Sequence, residues 1–406
     1  MSNILIETSI SDALDRLSIL YIKCEKITDE TKLININYEK DILYNKLKNY
    51  INKVEYHYNT LIYINRKIWE ILEQAKINDN YPNEQLQLFK EQEDYNERRF
   101  RVKSKINNIL DSSIKEQKDY EYKKAVVLGH LGMGDQFYIV GIVRYLSTIY
   151  DEVTVVCKDN TKNNIKQMYS DDKSIRIYSV ANDKDISPAY GFNISDFNKI
   201  FNNHTKYLLG FHQHGIHTDC YGQGKIIYDL PFSFYDDVQI NHQVFWDYFH
   251  VNKPDNSIIM YNSIKSINYI FMHNTSSIGE IFSLDFIVDK FNINKDKTLI
   301  INPCICLYQP GDNYYELAKT FIKLPILDYI DTIENAKTIV MSDSSFLCLA
   351  QHLEIKTEQC YIYCREGNNY KYTYDHIWSN KYKSKSTPNK YKKFFQINNN
   401  IKHIIL

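Results

Sequence analysis

Glycine is missing from the first third of this 406-residue chain: none of its 12 glycines precedes Gly129, and residues 1–118 hold a single proline, Pro82. Without these two helix breakers, long helices are the default there. No stretch of 18 apolar residues occurs, and the opening MSNILIETSISDALDRL has no basic segment followed by an apolar block. The expectation is a chain with no transmembrane segment or secretory leader, resident in the cytoplasm. An excess of either charge is also lacking. Lys and Arg number 49 against 50 Asp and Glu, a net −1, so no global field favours nucleic acid or an anionic membrane. The eight cysteines contain no CxxC; the closest pairs are Cys304/Cys306 and Cys360/Cys364. That excludes a zinc ribbon or a thioredoxin-type motif and leaves reduced thiols as the expectation.

What fills residues 1–118 is helical periodicity. Ile10, Leu14, Leu17, Leu20, Cys24 and Ile27 recur at 3.6-residue spacing behind Ser11, the expected N-cap. A second helix is expected over about 35–75 and a third after Pro82, which makes an antiparallel bundle or coiled-coil arm. Such an arm offers a surface for homo-oligomerisation. The basic run Arg98, Arg99, Arg101, Lys103, Lys105 reads as a solvated helix face.

From Lys123 the pattern changes to short β-rich runs separated by helical segments: AVVLG, VTVVC, IRIYSV and KYLLGF, then NYIFMHN, TLIINPC, KTIVM and QCYIYCR. Strand–helix alternation predicts parallel sheets. The fold class expected is α/β, with two Rossmann-like domains facing across a cleft behind an all-α domain. The boundaries are 1–118 for the helices, 119–262 for a first Rossmann-like acceptor domain and 263–385 for a second, nucleotide-sugar domain. A tail, 386–406, is expected to pack back on the first.

Three glycines, Gly129, Gly132 and Gly134, stand within six residues after the first strand, in GHLGMGDQ. No Gly-Lys-Ser/Thr follows, so this is not a P-loop. The spacing G-x-x-G-x-G is also not the dinucleotide fingerprint G-x-G-x-x-G, and it leaves an oxidoreductase or epimerase as a minor alternative. Asp135, next in line, reads either as the N-cap of the following helix or as a general base. Gly132, Gly134 and Gln136 would line an acceptor site with His212 and His214 of FHQHGIHTDC, whose spacing matches no standard metal pattern. In the second half, Ser342, Asp343, Ser344 and Ser345 open a helix after a strand, and His273, Thr275, Ser276 and Ser277 follow another strand. Hydroxyls and N–H groups at such loops suit a diphosphate.

With these residues in view, 123–370 resembles the GT-B glycosyltransferases, nearest to the heptosyltransferase-like group, through VVLGHLGMGDQFYIVGIVRYL and ENAKTIVMSDSSFLCLAQHL. The stretches DALDRLSILYIKCEKITD, IWEILE and YNERRFRVKSKIN are similar to an uncharacterised helical family found beside glycan-biosynthesis enzymes. The resemblance implies Asp135 as catalytic base and Ser344 and Ser345 as contacts of the donor phosphates, with Arg365 or Lys337 as the basic residue there. The expected reaction moves a sugar from a nucleoside-diphosphate donor to a hydroxyl of a glycan or glycoprotein acceptor. It is expected to invert the anomeric centre and to need neither metal nor cofactor, the departing diphosphate being met by the helix start, the serine hydroxyls and His273. A non-catalytic scaffold on the same fold is the alternative.

Overall fold

The computed structural model describes residues 6–77, 82–181, 194–210, 230–276, 279–280, 282–342, 344–357 and 359–363. The expected C-terminal tail lies outside them. Among the described residues no helix is long and apolar enough to cross a membrane. The chain is mixed α/β, and it divides into two compact units. One holds the residues up to Ala125 with Arg144–Val153 and Asp171–Arg176, the other Val126–Val143, Thr154–Ser170 and the chain from Ile177.

The first unit contains four helices where three were expected: α1 (Ile10–Lys26), α2 (Glu30–Ile51), α3 (Glu55–Ile77) and α4 (Pro82–Ile109). The single helix expected over 35–75 breaks at residues 52–54, where no glycine or proline marks the turn and Val54 is buried in the bundle core. Ser9, not Ser11, caps α1: its hydroxyl accepts from the Asp12 N–H. Ser11 is fully buried and its N–H donates to Asn107 Oδ1. Leu14, Leu17, Leu61, Ile64, Val102 and Ile106 form the core, each contributing roughly 1.5–3 kcal/mol by leaving water.

The basic run of α4 is not a solvated face. Arg98, Arg101 and Lys103 are buried, and each cation meets a carboxylate. Arg99 binds the buried Asp15, which also accepts from Asn65 Nδ2 at 2.8 Å and so joins α1, α3 and α4. Lys105 Nζ donates to Asp172 Oδ2 at 2.9 Å and to the Ser147 carbonyl. His57 Nε2 lies 3.9 Å from the same Asp172 oxygen. Arg144, fully buried, forms a two-pronged pair with Asp171 at 2.6 and 2.9 Å. Helical periodicity reports which residues share a face; it does not say that acidic partners arrive from 50 to 91 residues away.

The remaining chain supplies β1 (Lys124–Leu128), α5 (Met133–Tyr138), α6 (Val140–Leu146), β2 (Glu152–Lys158), α7 (Lys162–Met168), β3 (Ile175–Val180), α8 (Ile194–Ile200) and β4 (Thr205–Leu208). Three helices follow: α9 (Leu230–Asp237), α10 (Val244–Asp247) and α11 (Asp255–Asn262). Their aromatic residues Phe234, Tyr235, Phe245 and Trp246 are buried as core. Then come β5 (Tyr269–His273), the hairpin β6 (Thr275–Ser276) and β7 (Gly279–Glu280), α12 (Leu284–Lys290), β8 (Leu299–Ile301) and α13 (Tyr315–Lys319). A 3-10 turn at Ile326–Tyr329 runs into α14 (Ile330–Glu334), followed by β9 (Thr338–Ser342), α15 (Ser345–Ala350) and β10 (Cys360–Tyr363).

These strands form two four-stranded sheets, in the orders β3-β2-β1-β4 and β10-β9-β5-β8. The second is parallel throughout. In each sheet the strand that comes first in sequence lies inside. The chain builds outward to one side of it and then crosses to the other. In open α/β sheets the crevice for ligands opens beyond the carboxyl ends of the strands, at that reversal. The turns after β1 and β5 occupy those positions, and both carry residues singled out above.

Candidate functional site

The turn after β1 explains why its glycines are needed. Gly132 is the N-cap of α5 with φ −66° and ψ 146°, a conformation any residue adopts. A Cβ there would stand 2.5 Å from Asp135 Oδ2, so the missing side chain is what lets the carboxylate fold back over the turn. A Cβ at Gly134 would meet Cys348 Sγ at 3.1 Å and the Ser345 Cα at 3.8 Å. Gly134 thus lets α5, from the first sheet, press against the start of α15, from the second.

Asp135 is not the N-cap. The helix begins two residues earlier, which leaves Asp135 in its first turn, half-buried. Burial raises its carboxyl above the usual aspartate range, against the pull of His130, of Lys158 at the end of β2, and of the Asp135 and Gly132 backbone N–H groups. A carboxylate made more basic by burial and held near a cation fits general-base work. Gln136 is fully buried, its Nε2 donating to the carbonyls of His130 and Val156 at 3.3 Å each. It ties the turn to β2. His130 in turn reaches the Gly210 carbonyl at 3.0 Å through Nε2.

Since Gly132 has an ordinary backbone conformation, Gly132→Ala is expected to leave stability within about 1 kcal/mol of wild type. The displaced carboxylate is expected to cost about tenfold or more in turnover. Thermal melts beside turnover measurements check this. A collapse of the fold, or full activity, would contradict the role given to the missing Cβ.

Across from this turn, the ends of β5 and β9 bring four of the expected residues into one network. His273 is buried. Its Nδ1 lies 2.9 Å from Ser344 Oγ, and its Nε2 lies 3.3 Å from Thr275 Oγ1. Ser342 donates to the Thr275 carbonyl at 2.6 Å. Thr275 Oγ1 also lies 3.3 Å from Cys304 Sγ. Ser344 is the N-cap of α15 yet makes no side-chain cap bond, because its hydroxyl is committed to His273. Burial lowers the His273 pKa to about 4. At neutral pH the ring is therefore uncharged, and it offers one N–H and one lone pair.

Lys337 does not reach this network. It is exposed, its backbone N–H bonds the Tyr269 carbonyl, and it precedes β9 while Ser342 closes that strand. At about 3.3 Å per residue the two lie some 16 Å apart along the strand. Ser345 begins α15, half-buried, and Ser276 is half-buried in β6. His212, His214, Ser277, Asp343 and Arg365 lie outside the described residues. Among the described residues no three His, Cys, Asp or Glu side chains gather as metal ligands would.

Sequence reasoning missed several contributors. Cys304 is held by its own N–H donating to Asn302 Oδ1 at 2.8 Å, and Asn302 Nδ2 donates to Asn274 Oδ1 at 3.1 Å. Both asparagines are buried, so the ends of β5 and β8 are joined by an amide ladder. Asn274 and Asn302 each follow a strand at a sheet's carboxyl end, a positional signal that was available. Lys158 carried the same signal at the end of β2.

Compared with known proteins, the chain matches no family model and no curated protein. Solved structures that match it include a family 9 glycosyl transferase from Veillonella parvula, 11% identical with a TM-score of 0.36, over 62% of this chain and 84% of that one. TibC, an iron-containing dodecameric glycosyltransferase from enterotoxigenic E. coli, matches at 12% identity and a TM-score of 0.35. TibC described as a heptosyltransferase, in complex with ADP-D-beta-D-heptose, matches at 10% and 0.34. Both TibC matches cover 62% of this chain and 61% of the other.

Proposed function

We propose that this protein is a glycosyltransferase that moves a sugar from a nucleoside-diphosphate donor to a hydroxyl of a glycan or glycoprotein. Its two sheets would serve as Rossmann-like halves, the first for acceptor and the second for donor. The observation that carries the reading is the contact of Gly134 with Ser345 and Cys348. It sets a turn bearing a basic carboxylate against a turn whose cap serine leaves the first N–H groups of its helix uncapped. Those groups and the Ser344 hydroxyl are the donors that a departing diphosphate requires.

In the proposed reaction the acceptor oxygen attacks the anomeric carbon from the face opposite the diphosphate. Asp135 takes the hydroxyl proton as the C–O bond forms, and the bond to the diphosphate breaks with its electron pair leaving on oxygen. The scheme needs no metal and inverts the anomeric centre. Glu358 and Glu366 do stand in the Glu-x7-Glu spacing of retaining enzymes, outside the described residues, so the product anomer is the test of inversion.

A thermal-shift panel of UDP-, GDP-, dTDP-, CMP- and ADP-linked sugars, with NAD(P) as control, tests the reading. Ligand at 100 times its Kd is expected to add about 2.7 kcal/mol of stability, seen as a raised Tm with one nucleotide family. A shift with NAD(P) alone would replace the transferase reading with the dinucleotide one.

A further inference from the structure

Cys304, Thr275, His273 and Ser344 form a continuous hydrogen-bonded line: Cys304 Sγ to Thr275 Oγ1, 3.3 Å; Thr275 Oγ1 to His273 Nε2, 3.3 Å; His273 Nδ1 to Ser344 Oγ, 2.9 Å. Each interior member has one proton to give and must accept one in return. The line therefore has two collective states. In one, Ser344 donates to Nδ1, Nε2–H donates to Thr275, and Thr275 donates to the Cys304 sulfur. In the other every bond is reversed. Cys304 donates to Thr275, Thr275 donates to Nε2, Nδ1–H donates to the Ser344 oxygen, and the Ser344 proton is released outward.

We infer that Thr275 and Cys304 are positioning residues for Ser344, setting through His273 whether its hydroxyl proton is held inward or offered to a phosphoryl oxygen. This rests on the donor-site reading above and adds to it residues that touch no ligand. Three features support it. The ring is buried and neutral, whereas an imidazolium would donate from both nitrogens and break the line. The Thr275 backbone is pinned by Ser342, and Cys304 is pinned by the Asn302–Asn274 ladder, so the spacing is built rather than incidental. Ser344 also gives up the capping bond that a serine at an N-cap ordinarily makes. An acceptor oxygen at Ser344 can bind only the outward state, so binding there must be linked to the His273 tautomer.

The test uses the full chain labelled with ¹⁵N-histidine, with the His273 resonances assigned by their loss in His273→Gln. Inorganic diphosphate is the probe. Saturating diphosphate is expected to move His273 toward the Nδ1–H tautomer. Thr275→Val is expected to abolish that response and weaken diphosphate binding about tenfold, while Thr275→Ser restores both. Cys304→Ala is expected to act in the same direction but less, since a thiol is a weak donor, and Cys304→Ser to match wild type. Circular dichroism and melting curves confirm that each variant is folded. If diphosphate binds with the tautomer unmoved, or Thr275→Val binds as wild type, the relay is wrong and the donor site stands. If diphosphate fails to bind wild type at all, the donor site falls and the relay's role with it.

Discussion

Replacing Asp135 by asparagine is expected to lower turnover by about 10²–10⁴-fold and, at the same time, to raise the melting temperature at pH 7. The two effects share one cause. Burial raises the carboxyl's pKa, so between the unfolded value, 3.8, and the raised folded value the native state binds more protons than the unfolded one. Stability then falls as pH rises through that window and stays lowered at neutral pH. The asparagine keeps the shape and carries no charge, which removes that cost. As the proposed general base, Asp135 would act in its ionised form, so the acid limb of kcat/KM for wild type is expected above the ordinary aspartate range. Melts at pH 7 beside turnover with the donor found by thermal shift decide the matter. A carboxylate serving only the first helical turn would give the opposite: unchanged turnover and no gain in stability.

Asp172→Asn is expected to cost the first unit about 3–5 kcal/mol. Asp172 is buried, with Lys105 Nζ at 2.9 Å and His57 Nε2 at 3.9 Å. Burial opposes its charge, yet Lys105, His57 and Arg144 outweigh that and hold its carboxyl well below the usual range. Its contribution is therefore complete above pH 3.8 and lost as pH falls below that value toward the folded pKa. Removing the carboxylate leaves the Lys105 ammonium buried without its partner, which is where the large penalty arises. Pairing Asp172→Asn with Lys105→Met is expected to recover part of the loss, because an apolar stem of similar length needs no counter-charge. Urea unfolding followed by the far-ultraviolet signal of α1–α4 measures both variants. A midpoint unchanged in the single variant would show that the cluster is solvated in solution.

Much of the scaffold was legible without coordinates. The eight β-rich runs from AVVLG to QCYIYCR coincide with the strands of the two four-stranded sheets to within a few residues, because strands buried on both faces of a sheet demand near-continuous apolar runs. The turn at residues 52–54 was not legible, since nothing there breaks a helix and only the packing of Val54 into the core turns the chain. The charged run of α4 was misread for a related reason: Asp15 reaches Arg99, Asp151 reaches Arg101 at 3.3 Å and Asp172 reaches Lys105 through tertiary folding.

The candidate site divides along the same line. The sequence by itself determined that a glycine-rich turn and a serine-rich turn follow strands, and that an aspartate directly follows the last glycine of the first. Only the tertiary structure decided what the glycines approach, namely the Asp135 carboxylate at Gly132 and the start of α15 at Gly134. It alone decided that His273 is neutral and spans Ser344 and Thr275, and that Cys304, Asn274 and Asn302 hold them there. Local sequence sets backbone preferences over a few residues. Ionisation, hydrogen-bond polarity and van der Waals fit depend on neighbours that chain folding brings from about 30, 70 or 200 positions away, roughly the separations that join β5 to β8, β5 to α15, and the turn after β1 to α15.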